Sequence, residues 1–208
     1  MRKAVCVSLL MIMLAFSGCS NIKISYDVYE RLYQAYNSMS SYEAEVEVTS
    51  FSNHSQNIYV AKQYFKEPDK MRSDVISPQA VEGVQTVING ERAQILQPGS
   101  GGNLTLAELK NGDSNFLFLN TFFSLYYKSE STSVSVSNTE DGEMIVMETE
   151  TGLSNPYRNS MRLKISSKTL NPIQLDILGK DGEVYMTVVY KSFTPNQPLE
   201  DSLFEIKE

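Results

Sequence analysis

The sequence predicts an α+β fold in which helices cover the concave face of a single, strongly curved antiparallel sheet. From residue 41 onward, about ten segments alternate apolar and polar residues with a period of two, as strands with one buried face do. Short turn signals separate these segments, so neighbours in sequence are predicted to pair as hairpins. Only residues 25–39 and 114–129 carry apolar residues at helical spacing. A sheet of this many strands must curl, and two helices would fill its concave side.

The N-terminus has the pattern of a bacterial lipoprotein signal. Arg2-Lys3 precedes the apolar run 4–16, which is too short to span a bilayer as a stable helix, and Ser17-Gly18-Cys19 follows it. The predicted parts are a signal peptide (1–18), a lipidated tether (19–24) that begins with acylated Cys19, and one domain (25–208). The alternative is an ordinary signal peptide or an uncleaved anchor, with Cys19 as an incidental thiol.

Charge and cysteine content narrow the possible partners. Loss of residues 1–18 removes two cations and no acid, so the net charge changes from −7 to −9. This acidic balance argues against nucleic acid as a partner and against broad adhesion to anionic headgroups. Membrane attachment is therefore expected through the acyl chains on Cys19. Cys6 lies in the predicted signal peptide, so no disulfide is expected and the domain must be held together by its core.

The domain is predicted to begin with an amphipathic helix followed by a strand. Within 25–39, Asp27 and Glu30 form a capping pair. The apolar residues at helical spacing are Val28, Leu32, Ala35, Tyr36 and Met39. After Ser41 the pattern changes: Tyr42, Ala44, Val46 and Val48 alternate with Glu43, Glu45, Glu47 and Thr49. One face of this strand is predicted to be buried and the acidic face solvated.

The remaining strands are predicted from the same alternation. They are 58–66, 70–76, 85–88, 91–96, 132–137, 144–149, 158–166, 173–178 and 183–193, with a short closing strand at 203–206. Asn89-Gly90 is the strongest hairpin signal. The segments Glu67-Pro68-Asp69, Asp141-Gly142 and Asn171-Pro172 also favour turns.

A second helix is predicted over 114–129, with Asp113 or Ser114 as its cap. This stretch is apolar around most of its circumference. Two interpretations are open: the helix fills the concavity of the sheet, or it is a lid that contacts lipid. The candidate binding residues on this apolar face or lid are Phe118, Phe122 and Tyr126.

The residues needed for catalysis are scarce. His54 is the only histidine, and acylation of Cys19 would leave no thiol nucleophile. A histidine-rich zinc site is excluded for the same reason. The acidic series Glu43, Glu45 and Glu47 is interpreted as a solvated strand face rather than a metal site or a glycosidase carboxylate pair. We therefore expect no enzyme activity, no metal and no cofactor.

Three segments in register resemble the LolA/LolB superfamily of lipoprotein-handling proteins, and more narrowly the GerS-type germination lipoproteins of spore-forming clostridia. They are 63–72 (QYFKEPDKMR), 87–98 beginning Val-Ile-Asn-Gly, and 171–183 with the closing Leu203-Phe204. The resemblance implies a curved antiparallel half-barrel with helices across its concave side.

The narrower resemblance also implies a function. Such a protein is a non-catalytic lipoprotein on the outer face of the cytoplasmic or forespore membrane. Its partner would be a cortex N-acetylmuramoyl-L-alanine amidase, which it would support so that the spore cortex acquires its muramic lactam and can be degraded in germination. An open sheet edge would bind that partner or a second copy of the chain, giving a homodimer.

A lipid or lipoprotein receptor with an apolar pocket is the alternative, as in the anchored members of the superfamily. Two positions differ from the lipid-carrying members. Glu67 stands where they have an arginine that latches the lid, and Arg92-Ala93-Gln94-Ile95-Leu96 replaces their aromatic residues. We therefore expect a concave face closed by side chains rather than one that holds an acyl chain.

Overall fold

The computed structural model describes residues 26–52, 55–98, 103–106, 116–139 and 142–206. Within these ranges the helices are α1 (Tyr26–Asn37), α2 (Leu119–Tyr126) and a 3-10 helix (Asp201–Phe204). The strands are β1 (Ser41–Ser52), β2 (Ser55–Lys66), β3 (Lys70–Ser77), β4 (Gln85–Asn89), β5 (Arg92–Leu96), β6 (Asn103–Leu106), β7 (Thr132–Thr139), β8 (Gly142–Glu150), β9 (Ser160–Ser166), β10 (Pro172–Leu178) and β11 (Val184–Pro195).

All eleven of these strands form one antiparallel sheet, in the order β6-β5-β4-β3-β2-β1-β11-β10-β9-β8-β7. The first and last strands pair in the middle, and every other neighbouring pair is consecutive in sequence. The two edges, β6 and β7, are consecutive in the chain, and α2 lies between them. The chain therefore crosses from one edge of the sheet to the other through α2. The predicted fold class is confirmed.

The alternation in β1 explains which face of the sheet is buried. Tyr42, Ala44, Val46 and Val48 are at most 1% exposed and belong to the central hydrophobic cluster. Their neighbours Glu43, Glu45, Glu47 and Thr49 lie half-buried on the opposite, convex face. Lys191 pairs there with Glu47 at 3.1 Å. The acidic face is thus a polar strand face, as predicted.

The Asn89-Gly90 hairpin is confirmed, because Asn89 pairs with Arg92 across a two-residue loop. Gly90 has a φ of +63°, which glycine adopts at little cost.

Two predictions about elements were wrong, and one strand was not predicted at all. The closing segment 203–206 is not a strand: Leu203 and Phe204 end the 3-10 helix. Strand β6 was not predicted, because four residues are too few to show a clear alternation. The second helix begins at Leu119, since residues 116–118 form a turn and a bend. Its predicted caps, Asp113 and Ser114, lie outside the described residues.

After β11 the chain crosses back over the convex face as a segment that we call the C-terminal strap (residues 196–206). It is tied down by successive hydrogen bonds. Asn196 N–H donates to Ser41 O at 2.7 Å, and Lys66 Nζ donates to Leu199 O at 2.7 Å. Arg72 Nη1 donates to Leu203 O at 3.0 Å, and Asn89 Nδ2 donates to Phe204 O at 3.2 Å.

The strap also contributes charge and apolar contacts. Hydrogen bonds from Lys66 and Lys70 lower the pKa of Asp201 below its usual value. The 3-10 helix packs on β3 and β4, where Phe204 is 0% and Val87 2% exposed. These two side chains lie outside the central cluster, so they form a small second core on the convex face.

Phe204→Ala should lower the free energy of unfolding by about 3–5 kcal/mol, because it removes a fully buried ring and leaves a cavity. The neighbouring Leu203→Ala removes a half-buried side chain and should cost clearly less. Urea unfolding followed by circular dichroism measures both. Equal losses for the two variants would show that Phe204 does not anchor the strap.

Candidate functional site

The concave face is covered by α1 and α2. Leu32 and Tyr36 of α1 are buried against the sheet, whereas Ala35, predicted on the same face, is exposed. The Tyr36 ring stacks on Phe123 of α2, with centroids 4.2 Å apart. Its hydroxyl donates to Leu170 O at 2.6 Å. Tyr36 therefore links α1, α2 and the turn before β10.

The start of α2 is held by a tyrosine of the sheet rather than by a capping side chain. Phe118 occupies the cap position and makes no side-chain capping bond. Instead, Leu119 N–H donates to the buried Tyr42 hydroxyl at 3.2 Å. Burial raises the pKa of Tyr42 well above its usual range, so this hydroxyl remains neutral. Tyr42 thus satisfies a helix N–H group that would otherwise lack a partner.

The three predicted candidate residues lie together in the core. Phe118 is 3%, Phe122 0% and Tyr126 7% exposed. The rings of Phe122 and Tyr126 stack with centroids 5.7 Å apart. Leu119 and Phe123 are buried with them. In this structure the apolar residues of α2 fill the concavity instead of facing solvent.

Among the described residues, three larger cavities flank this filled centre, and no residue lines more than one of these three. The first, of about 420 Å³, lies at the end of the sheet where β1 begins. Glu67 and Asp69 of the β2–β3 turn line it, together with Asn120 and Thr121 of α2. Glu67, which differs from the latch arginine expected from the resemblance, is thus one of the residues that line this cavity.

The second cavity, of about 270 Å³, lies between β2, β3 and the residues that precede α2. Val75, Val81 and Val84 give it an apolar lining. Gln63 is 1% exposed, and its Nε2 donates to Leu117 O at 3.1 Å.

The third cavity, of about 510 Å³, lies at the opposite end of β1, and we call it the Tyr157 pocket. Its lining consists of Ser50, Phe51, Ser52, Tyr157, Arg158, Tyr185 and Met186. Sequence reasoning missed this pocket: Tyr157 was assigned to no element, and Arg158 was predicted to begin the strand 158–166, which in the structure begins at Ser160. The sequence around Pro156, Tyr157 and Arg158 does not indicate that these residues lie beside β1 and β11.

Aromatic residues cluster at the end of α2 as well. Burial raises the pKa of Tyr127 to about 12, and its neighbours Tyr29, Tyr33 and Tyr126 act in the same direction. Among the described residues, no three of His, Cys, Asp and Glu come together in a way that could hold a metal ion. His54 and Cys19 lie outside the described residues.

The sheet has one long edge in β7. Its eight residues, TSVSVSNT, contain no charge and no proline, and they pair with β8 without a register shift. Most β7 side chains are exposed, and only Val134 and Val136 are half-buried. Protein edges are commonly protected by lysine, proline or a bulge, and none of these occurs within β7. This edge is therefore open to pairing with another strand.

None of the helices in the described ranges has both the length and the apolar character needed to cross a membrane.

Comparisons with known proteins agree with this architecture. Residues 1–204 match the family described as Sporulation protein YdcC-like. No curated protein matches the chain. An uncharacterized conserved protein from Thermus thermophilus has a similar structure, with a TM-score of 0.55, 13% identity and coverage of 88% of this chain and 93% of that chain.

Two further solved structures are similar. A LolA superfamily protein from Nitrosomonas europaea matches with a TM-score of 0.48 and 11% identity, over 86% of this chain and 96% of that chain. A chain in the structure of the CwlD amidase from Clostridioides difficile in complex with the GerS lipoprotein matches with a TM-score of 0.44 and 24% identity. That match covers 84% of this chain and 94% of that chain.

Phe122→Ala should lower the free energy of unfolding by about 3–5 kcal/mol, because it empties the centre of the concave face. Tyr127→Ala is the matched control, since this ring follows the same helix but is 45% exposed. We expect a clearly smaller loss for it in urea unfolding. A Phe122→Ala variant as stable as the Tyr127→Ala variant would mean that Phe122 is not part of the core.

Proposed function

The chain belongs to the YdcC-like family of sporulation proteins, and from this premise we propose that it is a membrane-anchored, non-catalytic envelope lipoprotein that binds a cortex N-acetylmuramoyl-L-alanine amidase. Its place would be the outer face of the cytoplasmic or forespore membrane. Acyl chains on Cys19 would hold it there, and residues 19–24 would form the tether.

The proposed lack of catalytic activity is supported by the residues that line the cavities. Most side chains that line the three larger cavities are aromatic, aliphatic, amide or hydroxyl groups, and the charged ones are Glu67 and Asp69 in the first cavity and Arg158 in the third. The carboxylates Glu67 and Asp69 in the first cavity have no histidine, cysteine or metal cluster beside them among the described residues. A binding protein fits this set of groups better than a hydrolase.

The amidase as partner comes from the motif resemblance and from the sporulation family. In one of the solved structures above, the GerS lipoprotein is in complex with the CwlD amidase. The single observation that carries our proposal for the binding site is the uncharged, unprotected edge of β7. Backbone N–H and C=O groups along such an edge can bind a partner strand without any pocket. A second copy of the chain can use the same edge, so a homodimer through β7 would compete with the amidase.

A lipid receptor or carrier is the competing function. It needs a continuous apolar cavity for an acyl chain. The concave face is instead filled by the core residues of α1 and α2, and the three larger cavities among the described residues share no lining residue. Native mass spectrometry of the purified chain distinguishes the two. A stoichiometric phospholipid or acyl peptide, beyond the chains on Cys19, would contradict our proposal.

Cys19→Ala should abolish acylation and leave an unprocessed or misrouted protein, because the acceptor thiol is lost. Metabolic labelling with an alkyne fatty acid, followed by detergent phase separation, measures this. Cys6→Ala is the matched control and should remain labelled, since Cys6 lies in the predicted signal peptide. Label on the Cys19→Ala protein would refute the anchoring.

Ser135→Lys combined with Ser137→Lys should weaken amidase capture about tenfold or more, because two lysines protect the edge of β7 against strand addition. Ser135→Thr with Ser137→Thr changes the same positions without charge and should retain capture. The measurement is pull-down of the amidase by the detergent-solubilised, full-length protein. Capture that is insensitive to the lysines would exclude β7 as the binding edge.

A further inference from the structure

The Tyr157 pocket has features that neither the fold nor the proposed amidase contact explains. It lies where the central strands β1 and β11 emerge from the core, under the connection between β8 and β9. Tyr157 is 58% exposed, more than any other large apolar or aromatic side chain among the described residues. Exposed aromatic side chains beside a cavity commonly mark a binding site.

The two tyrosines of the pocket are held in place. The Tyr185 hydroxyl donates to Asp181 Oδ2 at 2.7 Å. Its ring lies so close to the backbone of Gly179 that a Cβ there would clash with Tyr185 Cε2. Only glycine at position 179 therefore permits this ring position. The hydroxyl bond and the glycine contact together fix the Tyr185 ring before any ligand arrives.

Tyr157 is fixed to the same framework. Its N–H donates to Asn155 Oδ1 at 2.9 Å, and its ring meets Tyr185 edge to face with centroids 5.0 Å apart. Lys180 N–H donates to Pro156 O at 2.8 Å, which ties the two loops together. The rings lie at 68° to each other and form a rigid corner. A preorganised aromatic corner loses little side-chain entropy when it binds a ligand.

The charge in the pocket comes from Arg158. The guanidinium carbon of Arg158 lies 5.9 Å from the centroid of the Phe116 ring. None of the described carboxylates forms an ion pair with it. The hydroxyls of Ser50 and Ser52 lie on the same side of β1 as the core residue Val48, beside Met186 of the neighbouring strand. A guanidinium that lines the pocket and pairs with none of the described carboxylates favours an anionic ligand.

We propose that the Tyr157 pocket binds a carboxylate-bearing glycan, with a sugar ring in the corner formed by Tyr157 and Tyr185 and the carboxylate on Arg158. The apolar face of a pyranose ring packs on an aromatic ring, while its hydroxyls find partners on Ser50 and Ser52. The volume of about 510 Å³ is within the usual range for small-ligand sites. An acyl chain would offer no acceptor to the Arg158 guanidinium and no polar group to the Ser50 hydroxyl.

The choice of peptidoglycan as the glycan rests on the proposed envelope function, because an N-acetylmuramoyl-L-alanine amidase cleaves the amide bond to the stem peptide and leaves a free lactyl carboxylate on muramic acid. The chemistry of the pocket does not depend on that function. The test therefore uses two probes: soluble muramyl oligosaccharides that retain the lactyl carboxylate, and chitooligosaccharides that lack it.

Isothermal titration of the full-length protein in detergent measures binding to both probes. We expect saturable binding of the muramyl probe and weaker binding of the chitooligosaccharide. Arg158→Gln should weaken muramyl binding about tenfold or more and leave chitooligosaccharide binding unchanged. Tyr157→Ala should weaken both, because it removes the stacking surface shared by the two probes. Tyr29→Ala, another exposed tyrosine distant from the pocket, should change neither.

The same variants separate this proposal from the proposed function. Arg158→Gln and Tyr157→Ala should keep wild-type thermal unfolding and full amidase capture, since capture is assigned to β7. Absence of saturable muramyl binding to the wild-type protein, or equal binding by wild type and Tyr157→Ala, would overturn the glycan site. Loss of amidase capture in these variants would assign the pocket to a protein partner and would likewise overturn it. Failure of the wild-type protein to capture amidase affects only the proposed function, whereas glycan binding is measured without amidase.

Discussion

The pairing of β1 with β11 at the centre of the sheet is the constraint on which the rest of the structure depends. It joins residues more than 130 positions apart, from Ser50 with Met186 to Tyr42 with Pro195. All other strand neighbours follow one another along the chain, so each half of the sheet grows outward from this pair. The growing halves end at β6 and β7, and α2 lies between these two strands in the chain. The position of α2 follows from this topology together with its apolar residues, which pack into the core on the concave face.

The position of α2 on the concave face limits where the molecule can bind a ligand or a partner protein. Residues of α2 contact Tyr36, Tyr42 and strand β8, and its apolar side chains belong to the buried cluster at the middle of the sheet. The C-terminal strap covers part of the convex face over β3 and β4 in the same way. Both broad faces are thus partly occupied. The surfaces that remain available for binding lie at the rim of the sheet, namely at the open edge of β7 and at the ends of the central strands.

Sequence reasoning succeeded where a physical pattern was local. The alternation after Ser41, the Asn89-Gly90 turn and the change between helical and strand periods each depend on neighbours in sequence, and each is found in the structure. It failed where tertiary contacts decided the conformation. Phe204 ends a 3-10 helix because Arg72 and Asn89 hold the backbone carbonyls of the strap, and no local pattern encodes those partners. The Tyr157 pocket was not predicted for the same reason, since its residues come from three separate parts of the chain.

The two proposed sites are compatible because they occupy different parts of the rim. Four strand spacings separate β11, which lines the Tyr157 pocket, from the edge strand β7. At about 4.8 Å per spacing this corresponds to roughly 19 Å along the sheet. An enzyme bound to β7 by strand addition would therefore leave the pocket accessible. A lipid anchor at Cys19 would keep both near the membrane surface, so the protein could hold an amidase and, at the same time, glycan from which the amidase has removed the stem peptide. Any increase in the rate of the amidase reaction would come from this proximity rather than from a catalytic group of this chain.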